Sequence, residues 1–143
     1  MEHEYTVEFR IAAATLDLEY VSAALELSPS YTCVAGARRG RLVYKESIWG
    51  FNGYGPETAD PLWEDFETGL RFVLDRLEPK ARVLNRLRID SRQFWWCGHF
   101  QSAFSGGPTL SPTLMLRLGK FGAPLIIDSY FSDEKADRSE HLT

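Results

Sequence analysis

The sequence predicts an α+β fold, in which a mostly antiparallel sheet of four to five strands carries about three helices packed on one face. Three observations predict it. Polar and apolar residues alternate near the start of the chain, two helix starts combine a capping residue with a proline, and strand and helix patterns follow one another to the end. That succession would ordinarily suggest a parallel doubly wound sheet. An all-parallel sheet rarely has a strand with one polar face, so we predict the antiparallel arrangement.

The first predicted elements are a strand and a helix. From Tyr5 to Ile11 every second residue is apolar and the residues between are polar, which is typical of a strand with one solvated face. Thr15 and Asp17 then offer side-chain oxygens that can cap a helix, and apolar residues recur at helical spacing beyond them. Pro29 ends this helix.

A second strand and the clearest helix signal occupy the middle of the chain. Residues 42–49 are β-branched and aromatic, and their imperfect alternation indicates an edge strand or a bulge. Asp60 followed by Pro61 predicts a helix start, because a proline at the first helical position lacks only an N–H that would have no partner there. Five apolar residues spaced three or four apart form the stripe of this helix: Leu62, Phe66, Leu70, Val73 and Leu77.

The last part of the sequence predicts a short helix after Pro79, followed by a long strand, a helix and a final strand. The long strand, residues 88–100, is apolar on both sides and therefore central or covered on its second face. Ser111 and Gly122 are expected to begin and end the helix, and residues 125–130 form the final strand. We assign residues 5–131 to a single domain and expect the polar residues 132–143 to form a disordered tail.

The overall composition excludes several classes of protein. The 143 residues include 16 basic and 20 acidic side chains, a net charge of −4, which argues against a nucleic-acid binder. No apolar run approaches the roughly 20 residues that span a bilayer, so no membrane association is expected. Residues 1–5 do not resemble a secretory signal, and we therefore expect a cytoplasmic protein in which Cys33 and Cys97 are reduced thiols.

Patterns that carry common catalytic or cofactor chemistry do not occur. Cys97 and His99 share one side of a strand, but with Cys33 they supply only three soft ligands, fewer than a structural zinc site needs. Ser105 lacks the surroundings of a nucleophile elbow, and the glycines of residues 50–55 match no phosphate-binding loop. We therefore predict no cofactor and favour binding over catalytic turnover.

The first candidate site is an acidic surface at the start of the middle helix. Glu64, Asp65 and Glu67 surround Trp63, and Trp49 is a further aromatic candidate. Acidic residues at a helix start are commonly explained by the helix dipole alone. The functional alternative is that this surface receives a basic protein partner, with charge accelerating the encounter and an aromatic side chain anchoring the complex.

Two further hypotheses come from other functional classes. An enzyme or small-ligand binder would use a pocket near the final strand and the arginine loop. Its candidate residues are Asp128, Tyr130, His99, Arg38, Arg39 and Arg41. Alternatively, an unpaired edge strand with its aromatic residues would form a homodimer.

Short motifs spread along the chain carry a family resemblance. They are Leu25–Ser30, Gly36, Trp49, Leu77–Lys80, and the closing residues Leu118, Gly119, Gly122, Ile127, Asp128 and Tyr130. The chain resembles the bacterial domain-of-unknown-function family four-two-seven-nine over about residues 5 to 131. The resemblance implies a stand-alone cytoplasmic protein with no catalytic residues to assign. Similar small domains occur among bacterial immunity proteins, so it also implies stoichiometric binding of a toxin-like partner.

Overall fold

Seven strands and four α-helices make up residues 2–132, the part of the chain that this computed structural model describes. The strands are β1 (His3–Ala13), β2 (Tyr31–Cys33), β3 (Arg38–Arg39), β4 (Leu42–Val43), β5 (Ser47–Phe51), β6 (Arg92–Gln101) and β7 (Leu125–Phe131). The helices are α1 (Leu18–Leu25), α2 (Phe66–Leu77), α3 (Ala81–Leu87) and α4 (Pro112–Phe121), with a 3₁₀ turn at Glu78–Lys80. The tail predicted for residues 132–143 lies, from residue 133 onward, outside the described residues.

Five strands form one sheet in the order β2-β5-β1-β6-β7. Every pairing in it is antiparallel except that of β6 with β7. Strands β3 and β4 form a separate two-stranded ribbon. The predicted α+β class and mostly antiparallel sheet are therefore confirmed, and β6 is an interior strand as its two apolar sides indicated. Among residues 2–132, no helix combines the length and hydropathy needed to cross a membrane.

The alternation along β1 divides the sheet into two different faces. One face is apolar, and residues that pair across strands share it. Its buried side chains are Tyr5, Val7, Phe9, Ile11, Trp49, Phe51, Trp95 and Cys97. Each α-helix adds residues to this core, including Val21, Leu70, Leu84 and Leu114. The other face, called here the second face, carries the polar residues of β1 beside aromatic residues of β6.

Helix α2 begins five residues later than the sequence predicts. The predicted start was Asp60, whereas the observed N-cap is Asp65, whose carboxylate accepts a hydrogen bond from the Thr68 N–H at 3.1 Å. The reason is tertiary, because Trp63 pairs with Tyr5 through two backbone hydrogen bonds of 2.8 Å. This pairing holds the backbone extended where the helix was expected.

Two predicted strands also differ from the observed ones. The strand expected over residues 42–49 is divided into β4 and β5, because Tyr44 continues the ribbon through backbone hydrogen bonds with Gly36 and Ala37. The strand expected from residue 88 begins at Arg92, since Arg88 still belongs to the end of α3. The helix caps predicted at Asp17, Ser111 and Gly122 are confirmed.

Two histidines contact each other at one end of the apolar face. His3 Nε2 lies 2.8 Å from the Ser105 carbonyl oxygen, which can only accept, so this nitrogen donates. In the neutral ring, His3 Nδ1 then accepts from His99 Nε2 at 2.8 Å. His99 also stacks on Tyr5. Burial, and then the charge of His3, lower the pKa of His99 below its usual 6.5.

This lowered pKa predicts a loss of stability on mild acidification. The unfolded chain binds the His99 proton more tightly, so stability is complete above pH 6.5 and declines as the pH falls toward the folded-state pKa. Thermal unfolding from pH 7.5 to 5.5 should show a fall in Tm for the wild type and a smaller fall for His99→Phe. Equal slopes for both proteins would contradict the assignment.

Candidate functional site

A cavity of about 380 Å³ lies on the second face of the sheet. Its lining residues come from the five strands of the large sheet, from the β3–β4 ribbon region and from the loop after β5. Cavities of this size accommodate small organic ligands. Charged and aromatic side chains converge in this cavity.

An ion pair between two β1 residues lies in this cavity. Glu8 and Arg10 are two positions apart and so point to the same face. Arg10 Nε donates a hydrogen bond to Glu8 Oε1 at 3.0 Å, and the side chain of Arg10 is only 12% exposed and that of Glu8 only 15%. The bond uses one carboxylate oxygen and one guanidinium nitrogen. No described residue hydrogen-bonds to the other Glu8 oxygen or to the Nη groups of Arg10.

Two aromatic rings hold the guanidinium of Arg10 in place. Its central carbon lies 3.8 Å from the ring centre of Trp96 and 4.8 Å from that of Tyr31. A guanidinium between aromatic faces is held both by cation–π attraction and by packing. The ion pair with Glu8 fixes its Nε edge, so Arg10 presents its remaining N–H groups in a preorganised orientation.

Glycines create the room for these side chains. A Cβ atom at Gly50 would overlap the Glu8 carboxylate, which shows that this carboxylate lies directly on the backbone of β5. On β6, a Cβ at Gly98 would lie 2.7 Å from Thr6 Oγ1 and 2.9 Å from the Phe100 ring. Glycine at these two positions therefore leaves space that the side chains of Glu8, Thr6 and Phe100 occupy, and both positions belong to strands that line the cavity.

Burial dominates the electrostatics of the cavity. It raises the pKa of Glu8 above its usual value, although Arg10 acts in the opposite direction. Asp60, which also lines the cavity, contributes a further smaller increase. Burial also raises the pKa of Tyr31 to about 12, so that this phenol is neutral and can donate a hydrogen bond at physiological pH.

The two thiols and the histidines of residues 2–132 do not line this cavity. Cys97 faces the core, and burial raises its pKa to about 12, which leaves an unreactive thiol. Cys33, also a free thiol, pairs with Ile48 in the β2–β5 register and lies on the second face. Within residues 2–132, no group of three or more metal-ligating side chains is arranged to hold a metal ion.

The structure brings together only part of the pocket predicted from the sequence. Tyr130 and Arg39 line the cavity. Asp128 is opposite Gly98 in the β6–β7 register and shares the second face without lining the cavity. His99 lies on the apolar face, beside His3. The exposed Arg38 and Arg41 belong to the ribbon region but do not line the cavity.

The predicted partner surface is also divided. Trp49 lies in the core, fully buried, where its Nε1 donates to Ser22 Oγ at 3.0 Å, so it does not join a surface. Trp63 is half-buried against Phe72.

The acidic residues beside Trp63 have structural partners of their own. Asp65 caps α2, and Glu67 accepts a hydrogen bond from the Ser111 N–H and pairs with Arg71. Exposed Glu64 is the remaining member of the predicted surface.

Sequence reasoning missed the residues at the centre of the cavity. The alternation of β1 placed Glu8 and Arg10 on a solvated face, where charged residues need no explanation. One feature of the sequence could have indicated this site. The side of β6 that carries Trp96 is apolar, so other residues had to cover it. A charged pair on one strand, facing aromatic residues of a neighbouring strand, indicates a covered site more strongly than either feature alone.

Removing the Glu8 charge is predicted to stabilise the folded protein. Because the pKa of Glu8 is raised on folding, its contribution to stability is complete below the unfolded pKa and is lost as the pH rises through the folded pKa. Glu8→Gln should therefore have a higher Tm than the wild type at pH 7, and the two proteins should converge below pH 4.5. A lower Tm for Glu8→Gln at pH 7 would show that the ion pair stabilises the fold.

Comparison with known proteins identifies a family. A family model described as "Domain of unknown function (DUF4279)" matches residues 3–132. No curated protein and no solved structure matches the chain. Because the family model spans both the apolar core and the cavity strands, and most of the chain, this protein belongs to the family described as Domain of unknown function (DUF4279).

Proposed function

We propose that this protein binds a small organic ligand in the cavity on the second face of the sheet. The observation that carries the proposal is the Glu8–Arg10 pair, which is mostly buried in an aromatic cavity and keeps hydrogen-bonding atoms without protein partners among the described residues. The cavity is lined by aromatic and apolar side chains together with polar and charged ones, and polar groups placed among apolar walls can fix the orientation of a bound ligand.

The energetic cost of burying the Glu8–Arg10 ion pair supports a role for it in ligand binding. A buried ion pair commonly stabilises a fold no more than apolar residues of similar size would, because both charges lose their hydration. Here the raised pKa of Glu8 indicates that Arg10 does not fully offset this loss. Proteins tolerate such unfavourable groups where binding requires them.

A thermal-shift screen tests the proposal. The full chain is heated with a panel of amines, carboxylic acids, amino acids, nucleosides and sugars, and compounds that raise Tm are retested on Trp96→Ala and Glu8→Gln. Trp96→Ala should lose the ligand-induced shift, because Trp96 covers Arg10. Glu8→Gln should lose it for compounds that carry an amine, because Glu8 offers the open oxygen. Glu19→Gln, on the exposed side of α1, is the matched control and should keep it.

Two results would contradict ligand binding at this site. One is a panel in which no compound stabilises the wild type. The other is a ligand whose shift is equal in wild type, Trp96→Ala and Glu8→Gln, because that ligand binds elsewhere.

A protein partner is the second candidate function. The exposed Glu64 and Asp65 beside Trp63 favour it, and the corresponding hypothesis is a cytoplasmic bacterial immunity protein that binds a basic toxin-like partner. Trp63→Ala combined with Glu64→Lys should weaken such a complex, while Asp65 is left intact because it caps α2. Light scattering of the purified chain tests the homodimer hypothesis separately.

A further inference from the structure

The charges around the cavity have both signs. Glu8 and Asp60 are acidic, and Arg10 and Arg39 are basic, so the four lining charges cancel. A ligand with one net charge would leave this balance disturbed beside the mostly buried Glu8–Arg10 pair. A ligand that carries one positive and one negative group would keep it.

The two signs are arranged around one ion pair. Asp60 acts on Glu8, whose pKa it raises, and Asp60 accepts a hydrogen bond from Asn52 Nδ2 at 2.9 Å. Both carboxylates therefore act in the same cavity. The guanidinium of Arg10 lies against the rings of Tyr31 and Trp96. An ammonium group suits the carboxylates and a carboxylate group suits the guanidinium.

Open hydrogen-bonding positions match those two groups. The second Glu8 oxygen can accept from an ammonium group, and Arg10 Nη can donate to a carboxylate in the planar geometry that guanidinium favours. The two positions belong to side chains joined by a 3.0 Å hydrogen bond, so the ligand groups that they bind must also be close together. An ammonium and a carboxylate on one carbon atom meet this requirement.

Aromatic side chains line the part of the cavity that would contact the rest of the ligand. Phe100 stacks on Tyr130 with ring centres 5.1 Å apart, and both line the cavity with Trp96. Flat apolar walls favour an aromatic or large apolar side chain. The cavity volume of about 380 Å³ is sufficient for an amino acid of this kind.

We infer that the ligand is a zwitterion, an α-amino acid or a very short peptide with an aromatic or large apolar side chain. This inference rests on the proposed function and specifies its ligand class. Glu8 and Asp60 receive the ammonium group, Arg10 and Arg39 receive the carboxylate, and the aromatic walls contact the side chain.

Calorimetry with related probes tests the inference. L-Tryptophan is compared with tryptamine, which lacks the carboxylate, with indole-3-propionate, which lacks the ammonium, and with N-acetyltryptophanamide, which lacks both. L-Phenylalanine, L-leucine and the dipeptide Phe-Gly extend the series to other side chains and to peptides. The affinity for a zwitterion should be at least about tenfold higher than the affinity for its singly charged analogues, because each analogue lacks one charge-assisted hydrogen bond.

Two charge-neutralising variants should act on different probes. Glu8→Gln should weaken binding of zwitterions and tryptamine by about tenfold and leave indole-3-propionate unaffected or improved. Arg39→Gln should weaken zwitterions and indole-3-propionate and spare tryptamine. Glu19→Gln and Arg41→Gln, two exposed residues outside the cavity lining, are the matched controls and should change nothing.

Other outcomes separate this inference from the proposed function. If zwitterions fail to bind while another panel compound binds and requires Trp96 and Glu8, the ligand class is wrong and the cavity is still the site. Equal affinity for N-acetyltryptophanamide and tryptophan also overturns the class. If no compound of either set depends on the cavity variants, both proposals fail.

Discussion

Replacing Trp95 with alanine is expected to destabilise the protein by about 3–5 kcal/mol, a large part of the 5–15 kcal/mol typical of a domain. Trp95 is fully buried in the apolar core, with its ring 5.3 Å from that of Phe9 and 5.7 Å from that of Phe121. Alanine would leave a cavity between the sheet and α4 that neighbouring side chains could fill only in part. Urea unfolding of both proteins measures the difference.

The adjacent residue is the matched control for this prediction. Trp96 points to the second face, is 38% exposed and covers the Arg10 guanidinium. Trp96→Ala should cost less than Trp95→Ala, because the Trp96 ring is partly exposed and its removal leaves no closed cavity in the core. The same substitution should nevertheless remove the ligand-induced thermal shift. A similar loss of stability for both variants would contradict the assignment of these two side chains to different faces.

Replacing Arg10 with methionine is expected to destabilise the protein by about 3 kcal/mol, the lower end of the range for breaking a buried ion pair. We choose the lower end because both side chains keep some exposure. The loss arises from Glu8, whose carboxylate would stay buried without its partner. Chemical unfolding at pH 7 measures the effect.

A double variant and a pH series check the cause of this loss. Glu8→Gln introduced together with Arg10→Met removes the unpaired charge and should restore most of the lost stability. Without Arg10, the pKa of Glu8 should rise further, so the single variant should regain stability as the pH falls toward 4.5. If the double variant is as unstable as Arg10→Met, packing of the arginine is responsible instead of charge.

Local signals account for the elements that the sequence predicted well. The alternation in β1 and the caps at Asp17 and Ser111 depend on residues next to one another in the chain, and each of these features is observed. The error at the start of α2 has the opposite origin. Asp60 and Pro61 are good helix-start residues, but the backbone pairing of Trp63 with Tyr5, 58 positions away, keeps the chain extended.

The candidate site could be predicted only in part for the same reason. Tyr130 and Arg39 belonged to the predicted pocket and do line the cavity, whereas His99 is on the other face of the sheet. His99 and Tyr130 are on adjacent strands, and which residues share a face depends on strand register. A shift of one residue exchanges the faces, and no local pattern in β7 indicates its register with β6.

The sequence by itself determined the fold class, the identity of the apolar face and the family, because periodicity and caps act over a few residues. Only the tertiary structure decided that Glu8 and Arg10 lie in a cavity beneath Tyr31, Trp96 and Tyr130. These residues come from four strands whose order in the sheet differs from their order in the chain. A binding site of this kind is formed by strand pairing, and pairing depends on contacts between residues far apart in sequence.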